Sequence, residues 1–229
     1  MQAGYRLPAS IIATSAGAGI ATALLVDRVQ ESMAATRMLY QANPHVWRWR
    51  GLKMEFAHEH IYPAWVKAYL NDETWPIIKK SPSILRVAVT LPSRLGSRVS
   101  ALAGTGFYLF DKYLARNIHP KVPKALGLTQ AFVSLPHCAD VQEAQMLLVA
   151  TGAAPPFTPA RLVQGQKMMD GGYVDNAAID PKSESAPENT LVLLTRHYPK
   201  FPLLFRFRGR TYWQASKKIP VSTWDCTAK

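Results

Sequence analysis

The chain has 229 residues, 48% hydrophobic and only 18% charged, which gives one domain a full core and excludes a disordered, solvating polypeptide. Lys plus Arg outnumber Asp plus Glu by 27 to 15, and the net charge of +12 favours anionic partners without choosing among nucleic acid, lipid surface and acidic substrate. Two cysteines, Cys138 and Cys226, are too few for a disulfide scaffold and read as unrelated thiols in a reducing, cytoplasmic setting.

From Leu7 to Val26 the chain runs 20 residues without a charge. That length suits a transmembrane helix or signal peptide, but Pro8, Ser10, Thr14, Ser15, Gly17 and Gly19 dilute it, and only Arg6 supplies a positive flank. A strand, turn and helix fit better. The strand ends over Ile11–Ala13, and a helix follows from about Ala16 to Tyr40, with Ile20, Leu24, Met33 and Met38 among its apolar positions.

The junction, residues 11–19 (Ile-Ile-Ala-Thr-Ser-Ala-Gly-Ala-Gly), has the pattern of a nucleophile elbow, G-x-S-x-G, with Ala13 in place of the first glycine. A serine on so sharp a turn needs small residues two positions away on either side. The N–H groups at the start of the following helix, at Ala16 and Gly17, and the helix dipole would stabilise an oxyanion beside Ser15. A glycine-rich structural turn accounts for the same residues.

Trp47-Arg48-Trp49-Arg50 sets indoles beside cations, as at a lipid boundary or in ordinary packing. His58-Glu59-His60 lacks the H-E-x-x-H spacing, so neither a metal nor any other cofactor is expected. Ile84–Leu91 reads as a buried strand and Gln142–Ala150 as a helix. Asp170-Gly171-Gly172 reads as a tight turn after a strand, whose glycines let another backbone approach the carboxylate. Pro181–Glu188 is a polar loop, and Thr190–Thr195 a second buried strand. In Phe205–Arg210 an extended chain would put Arg206, Arg208 and Arg210 on one face and Phe205 and Phe207 on the other, as a solvated edge or a membrane contact. No nucleic-acid-binding signature is present, and no nucleic-acid partner is expected. Apolar strands alternating with helices give an α/β class with a mostly parallel sheet covered on both faces.

Together the two motifs, 155 positions apart, resemble those of the patatin-like phospholipases. Thr14-Ser15-Ala16-Gly17-Ala18 is similar to that family's nucleophile segment and Asp170-Gly171-Gly172 to its aspartate turn. The small-residue and proline stretch Ala150–Phe157 is similar to the approach to that turn, and Leu191–Arg196 to the strand that follows. The resemblance implies one domain over residues 1–229 with a three-layer α/β/α fold. It also implies a Ser15–Asp170 dyad and acyl-enzyme chemistry on a phospholipid or other lipid ester, while the net charge of +12 allows peripheral contact with an anionic membrane surface. One departure stands out. The family's glycine-rich oxyanion loop precedes the nucleophile, whereas only fourteen residues precede Ser15 and Met1–Pro8 holds the single glycine Gly4. The first strand and that loop are therefore expected to be absent, leaving an impaired enzyme or an inactive scaffold with a binding role. A Ser15–Asp170–His197 triad is the competing arrangement. Nothing in the sequence fixes the oligomeric state.

Overall fold

The computed structural model describes residues 6–50, 53–93, 106, 117–120, 122–125, 127–181 and 186–217; Gly4, Trp224 and Cys226 lie outside them. The elements run β1 (Ser10–Thr14), α1 (Ala16–Leu25), α2 (Val29–Ala42), β2 (Trp47–Arg50), β3 (Lys53–Phe56), α3 (His58–Tyr69) and α4 (Trp75–Lys80). There follow β4 (Ile84–Leu91), α5 (Val122–Ala125), β5 (Thr129–Ser134), α6 (Val141–Thr151), β6 (Arg161–Val163), β7 (Gln166–Asp170), β8 (Leu191–Leu194), β9 (Leu204–Phe207) and β10 (Arg210–Gln214).

β4 organises the larger sheet. Val87 and Val89 face one way and Ala88 and Thr90 the other, and all four are fully buried. Over these four residues neither face meets water, which is why the strand carries apolar residues on both faces despite Arg86. β1 lies parallel to it along Ile84–Ala88, and β5 antiparallel along Arg86–Leu91. β7 is antiparallel too, touching only Val89 and Thr90. Because β5 overlaps both other registers, β1 and β7 must share the opposite edge of β4, one beyond the other. β1 stops at Thr14 opposite Ala88, and β7 stops at Asp170 opposite Val89.

The α/β class is as expected, but the sheet is mixed rather than mostly parallel. The chain leaving α6 enters β6 and then reverses through Gln164 and Gly165, both at positive φ (49° and 73°). That two-residue hairpin turn pairs β7 antiparallel with β6 and brings it to β4 against the direction of β1.

The helices α1, α2, α3 and α6 bury one face of β4 in a single core that includes Ala18, Tyr62, Trp65, Val66, Leu147 and Leu148. The helix expected from Ala16 to Tyr40 is two helices. Asp27 adopts φ 55°, the Arg28 N–H donates to the Ala23 carbonyl at 2.9 Å and the Asp27 N–H to Leu24 at 3.2 Å, a Schellman stop. Ile20, Leu24, Met33 and Met38 are exposed, while Ala18, Ala21 and Ala23 are buried. Close helix contact selects the small side chains: a Cβ on Gly19 would lie 2.5 Å from the Trp65 ring. Cys138 is a buried free thiol, pushed up to about 12 by burial, and so an inert part of the core. Among the described residues no helix is long and apolar enough to cross a membrane.

The last described strands form a separate three-stranded sheet in the order β8-β10-β9, with β8 parallel and β9 antiparallel to β10. Val192, Phe205 and Tyr212 pack its inner face on Ile118, Ala177 and Tyr198. The strand expected to be buried over Thr190–Thr195 is shorter, and Leu191 and Leu193 face outward. The arginine alternation also breaks. Arg208 (φ 48°) and Gly209 (φ 81°) turn the chain between β9 and β10, so only Arg206 keeps the outward position on β9.

Candidate active site

Ser15 occupies the turn between β1 and α1 at φ 53°, ψ −133°, a conformation that a side chain adopts only under strain. Its surroundings fix it there. The Ser15 N–H donates to Thr151 Oγ1 at 2.9 Å, and the Thr151 hydroxyl donates to the Ala88 carbonyl of β4 at 2.6 Å. The Ser15 carbonyl accepts the Tyr62 hydroxyl at 3.0 Å and the Ala18 N–H at 2.9 Å. Residues from α6 and α3, with β4 behind Thr151, therefore hold the two peptide units that flank Ser15.

Asp170 ends β7 opposite Val89, beside the end of β1. Ser15 Oγ donates to its Oδ2 at 2.8 Å, and the Gly172 N–H donates to its Oδ1 at 2.7 Å. The Asp170 N–H donates to Ala153 at 2.7 Å, and its carbonyl accepts the Thr90 hydroxyl at 2.8 Å. The glycines that follow are required by space. A Cβ on Gly171 would collide with the Ala88 carbonyl and approach Thr14 Cγ2 to 2.9 Å; one on Gly172 would collide with the Asn176 side chain. Gly17 differs from the sequence expectation, because among the described residues nothing lies within 4 Å of a Cβ built there.

Burial raises the Asp170 carboxyl to about 6, an effect only partly offset by the Gly172 N–H, the Ser15 hydroxyl and the positive charge of Arg196. A carboxylate so placed is a stronger base than one in water. Burial, reinforced by the Tyr69, Asp170 and Tyr40 charges, pushes Tyr62 well above the usual phenol range, so it remains a neutral donor. Helix geometry leaves the N–H groups of Ala16 and Gly17, the first two of α1, without intrahelical acceptors beside Ser15.

The other sequence candidates lie elsewhere. His197 Nδ1 is 3.0 Å from the Ala215 carbonyl, while the Ser15 hydroxyl bonds the carboxylate directly. His60 pairs with Glu55 at 3.1 Å, whereas the His58 ring lies tilted against Tyr62, 4.8 Å between centroids. Trp47 packs on Phe56 and Phe157, and Trp49 faces solvent.

Thr151, Tyr62 and Thr90 were invisible as site residues, since a hydroxyl far along the chain carries no local signal. So was a strap behind the turn. His119 Nδ1 lies 2.7 Å from Asp175 Oδ2, and its Nε2 lies 2.7 Å from the buried Tyr212 hydroxyl. Gln130 Nε2 donates to the carbonyls of Gly171 (3.2 Å) and Asp175 (3.3 Å). The aspartate turn is thereby tied to the second sheet.

No curated protein matches the chain, and no solved structure does. The family model of patatin-like phospholipases matches residues 3–181. That span takes in both β1–α1 and the Asp-Gly-Gly turn and stops before β8, so the likeness of Leu191–Arg196 falls outside it. With more than half its length matched, the chain belongs to the patatin-like phospholipase family.

Proposed function

We propose that the protein is a lipid acyl hydrolase that cleaves carboxylic esters through Ser15 and Asp170. The observation that carries this reading is the 2.8 Å bond from Ser15 Oγ to a buried carboxylate oxygen at a strained turn. Ser15 Oγ attacks the ester carbonyl carbon and its proton passes to Asp170 Oδ2. The Ala16 and Gly17 N–H groups face the oxygen that becomes negative. The tetrahedral intermediate collapses by breaking the bond to the alcohol oxygen, which takes the proton from Asp170. Water then attacks the acyl-serine and gives its proton to Asp170; the fatty acid leaves and the proton returns to Ser15.

Membership of the patatin-like phospholipase family supports a phospholipid or related lipid ester as the substrate class. Peripheral contact with an anionic surface follows from the net charge of +12. The sparse cysteines support a cytoplasmic setting.

Hydrolysis of a short-chain p-nitrophenyl ester by the wild type, Ser15→Ala and Asp170→Asn tests the proposal. Equal rates in all three overturn it. A fluorophosphonate probe that fails to label Ser15 would point instead to an inactive scaffold with a binding role.

A further inference from the structure

The outer face of the β8–β10–β9 sheet is apolar where an open sheet face is ordinarily polar. Leu193, Trp213 and Leu204 stand directly opposite one another across the three strands. They are 66%, 52% and 59% exposed, and Leu191 and Leu203 beside them are 53% and 49% exposed. Two residues along, the next row on the same face is Leu191, Thr211 and Arg206, with Arg206 exposed. The inner face already supplies the packing, since Val192, Tyr212 and Phe205 are buried. The outer leucines and tryptophan are therefore not needed to hold the sheet together. A contiguous exposed apolar patch of this kind marks a contact surface.

Charge selects the partner. Residues 186–217 carry six Lys or Arg and one acidic residue, Glu188, so the patch sits in a strongly cationic segment. A second copy would bring like charge against like. Five apolar side chains also fall well short of the roughly 20–30 residues a side of a stable protein interface. An anionic bilayer answers both terms: its headgroups complement the cations, and shallow insertion of a few side chains with an indole at the boundary suffices.

We infer that this outer face, centred on Leu193, Trp213 and Leu204, is the docking surface for an anionic lipid bilayer. The choice of partner rests on the hydrolase reading, but the surface lies beyond the residues matched by the family. Its inner side reaches the aspartate turn through Tyr212, His119 and Asp175. A docked sheet therefore holds the candidate site at a fixed position relative to the membrane.

The test uses the full chain carrying Ser15→Ala, so that binding is read without turnover. It is mixed with phosphatidylcholine vesicles containing or lacking about a third phosphatidylserine, an anionic fraction that raises attraction by roughly fivefold per nearby cation. Sedimentation with the anionic vesicles is expected. Leu193→Glu with Trp213→Glu should lower partitioning at least about tenfold, since inserted apolar side chains are replaced by anions. Arg206→Gln should lower it about fivefold. Should the double variant unfold, Trp213→Phe keeps the patch apolar, and brominated phosphatidylcholine should quench its tryptophan emission less than that of the parent.

Unchanged partitioning in the double variant overturns the inference, as does loss of quenching in Trp49→Phe instead of Trp213→Phe. A dimer that the double variant splits into monomers also overturns it, assigning the face to self-association. With Ser15 restored, the double variant is expected to hydrolyse a soluble ester at the wild-type rate. If the soluble ester is never hydrolysed while vesicle binding follows the predicted pattern, the hydrolase reading falls and the docking surface stands.

Discussion

Ser15 Oγ lies 2.8 Å from Asp170 Oδ2 because the strands carrying them end opposite consecutive residues of β4, Ala88 and Val89. One strand arrives parallel to β4 and the other antiparallel, so their C-terminal ends converge from opposite directions. The separation of 155 positions is spanned by backbone register, and long flexible side chains are not required.

Two groups that act as one unit lose activity together rather than in proportion. Ser15→Ala and Asp170→Asn should each lower kcat by at least about 10³-fold, and the double variant should be no slower than the slower single. Steady-state kinetics on a soluble ester measure this. Multiplying defects would separate the residues into independent roles.

The pH profile follows from Asp170, whose carboxyl is raised from 3.8 to about 6 by burial. Only the ionised form accepts the serine proton, so kcat/KM should fall about tenfold per pH unit below that value. Stability moves the other way. Between 3.8 and about 6 the folded protein holds a proton that the unfolded chain has released, so stability decreases as pH rises through this window. Asp170→Asn should therefore stabilise the fold by about 1–3 kcal/mol at pH 8, with the gain vanishing below pH about 4. Urea unfolding at the two pH values checks the sign.

Thr151 bridges the Ser15 turn to β4, accepting from the Ser15 N–H and donating to Ala88. Thr151→Val keeps the shape and leaves both buried groups without partners, at a cost of about 1–3 kcal/mol. Activity should fall through kcat more than KM, because the turn loses its setting while the substrate's contacts remain. Thr151→Ser should restore both.

The two small-residue motifs respond differently to an added methyl. Gly171→Ala drives a Cβ into the Ala88 carbonyl, and thermal denaturation should show a loss of about 2 kcal/mol or more. Gly17→Ala meets open space in the first turn of α1 and should stabilise by about 0.5–1 kcal/mol through helix propensity.

Much of this arrangement was legible in the sequence. Ile84–Leu91 marked the central strand residue for residue, because burial on both faces leaves an apolar, β-branched run interrupted only by Arg86 and Thr90. Ser15 and the Asp-Gly-Gly turn were legible because backbone strain and close approach demand particular residue types. The helix break at Asp27 was not, since a left-handed aspartate has no neighbouring proline or glycine to announce it. Nor was the direction of β7, which depends on the two-residue reversal at Gln164-Gly165. Thr151, Tyr62 and His119 act through partners tens of positions away, and no spacing rule reaches that far. The second sheet misled for a related reason: Leu191 and Leu193 look like core until register places them on the outer face.

The φ of 53° at Ser15 has an evolutionary corollary. Glycine would adopt that backbone without difficulty, so Ser15→Gly should give a protein sturdier by about 1 kcal/mol that is chemically silent. Selection for durability alone would erase the hydroxyl. On the hydrolase reading, the strained dihedral angle is the stability cost of keeping that hydroxyl in place.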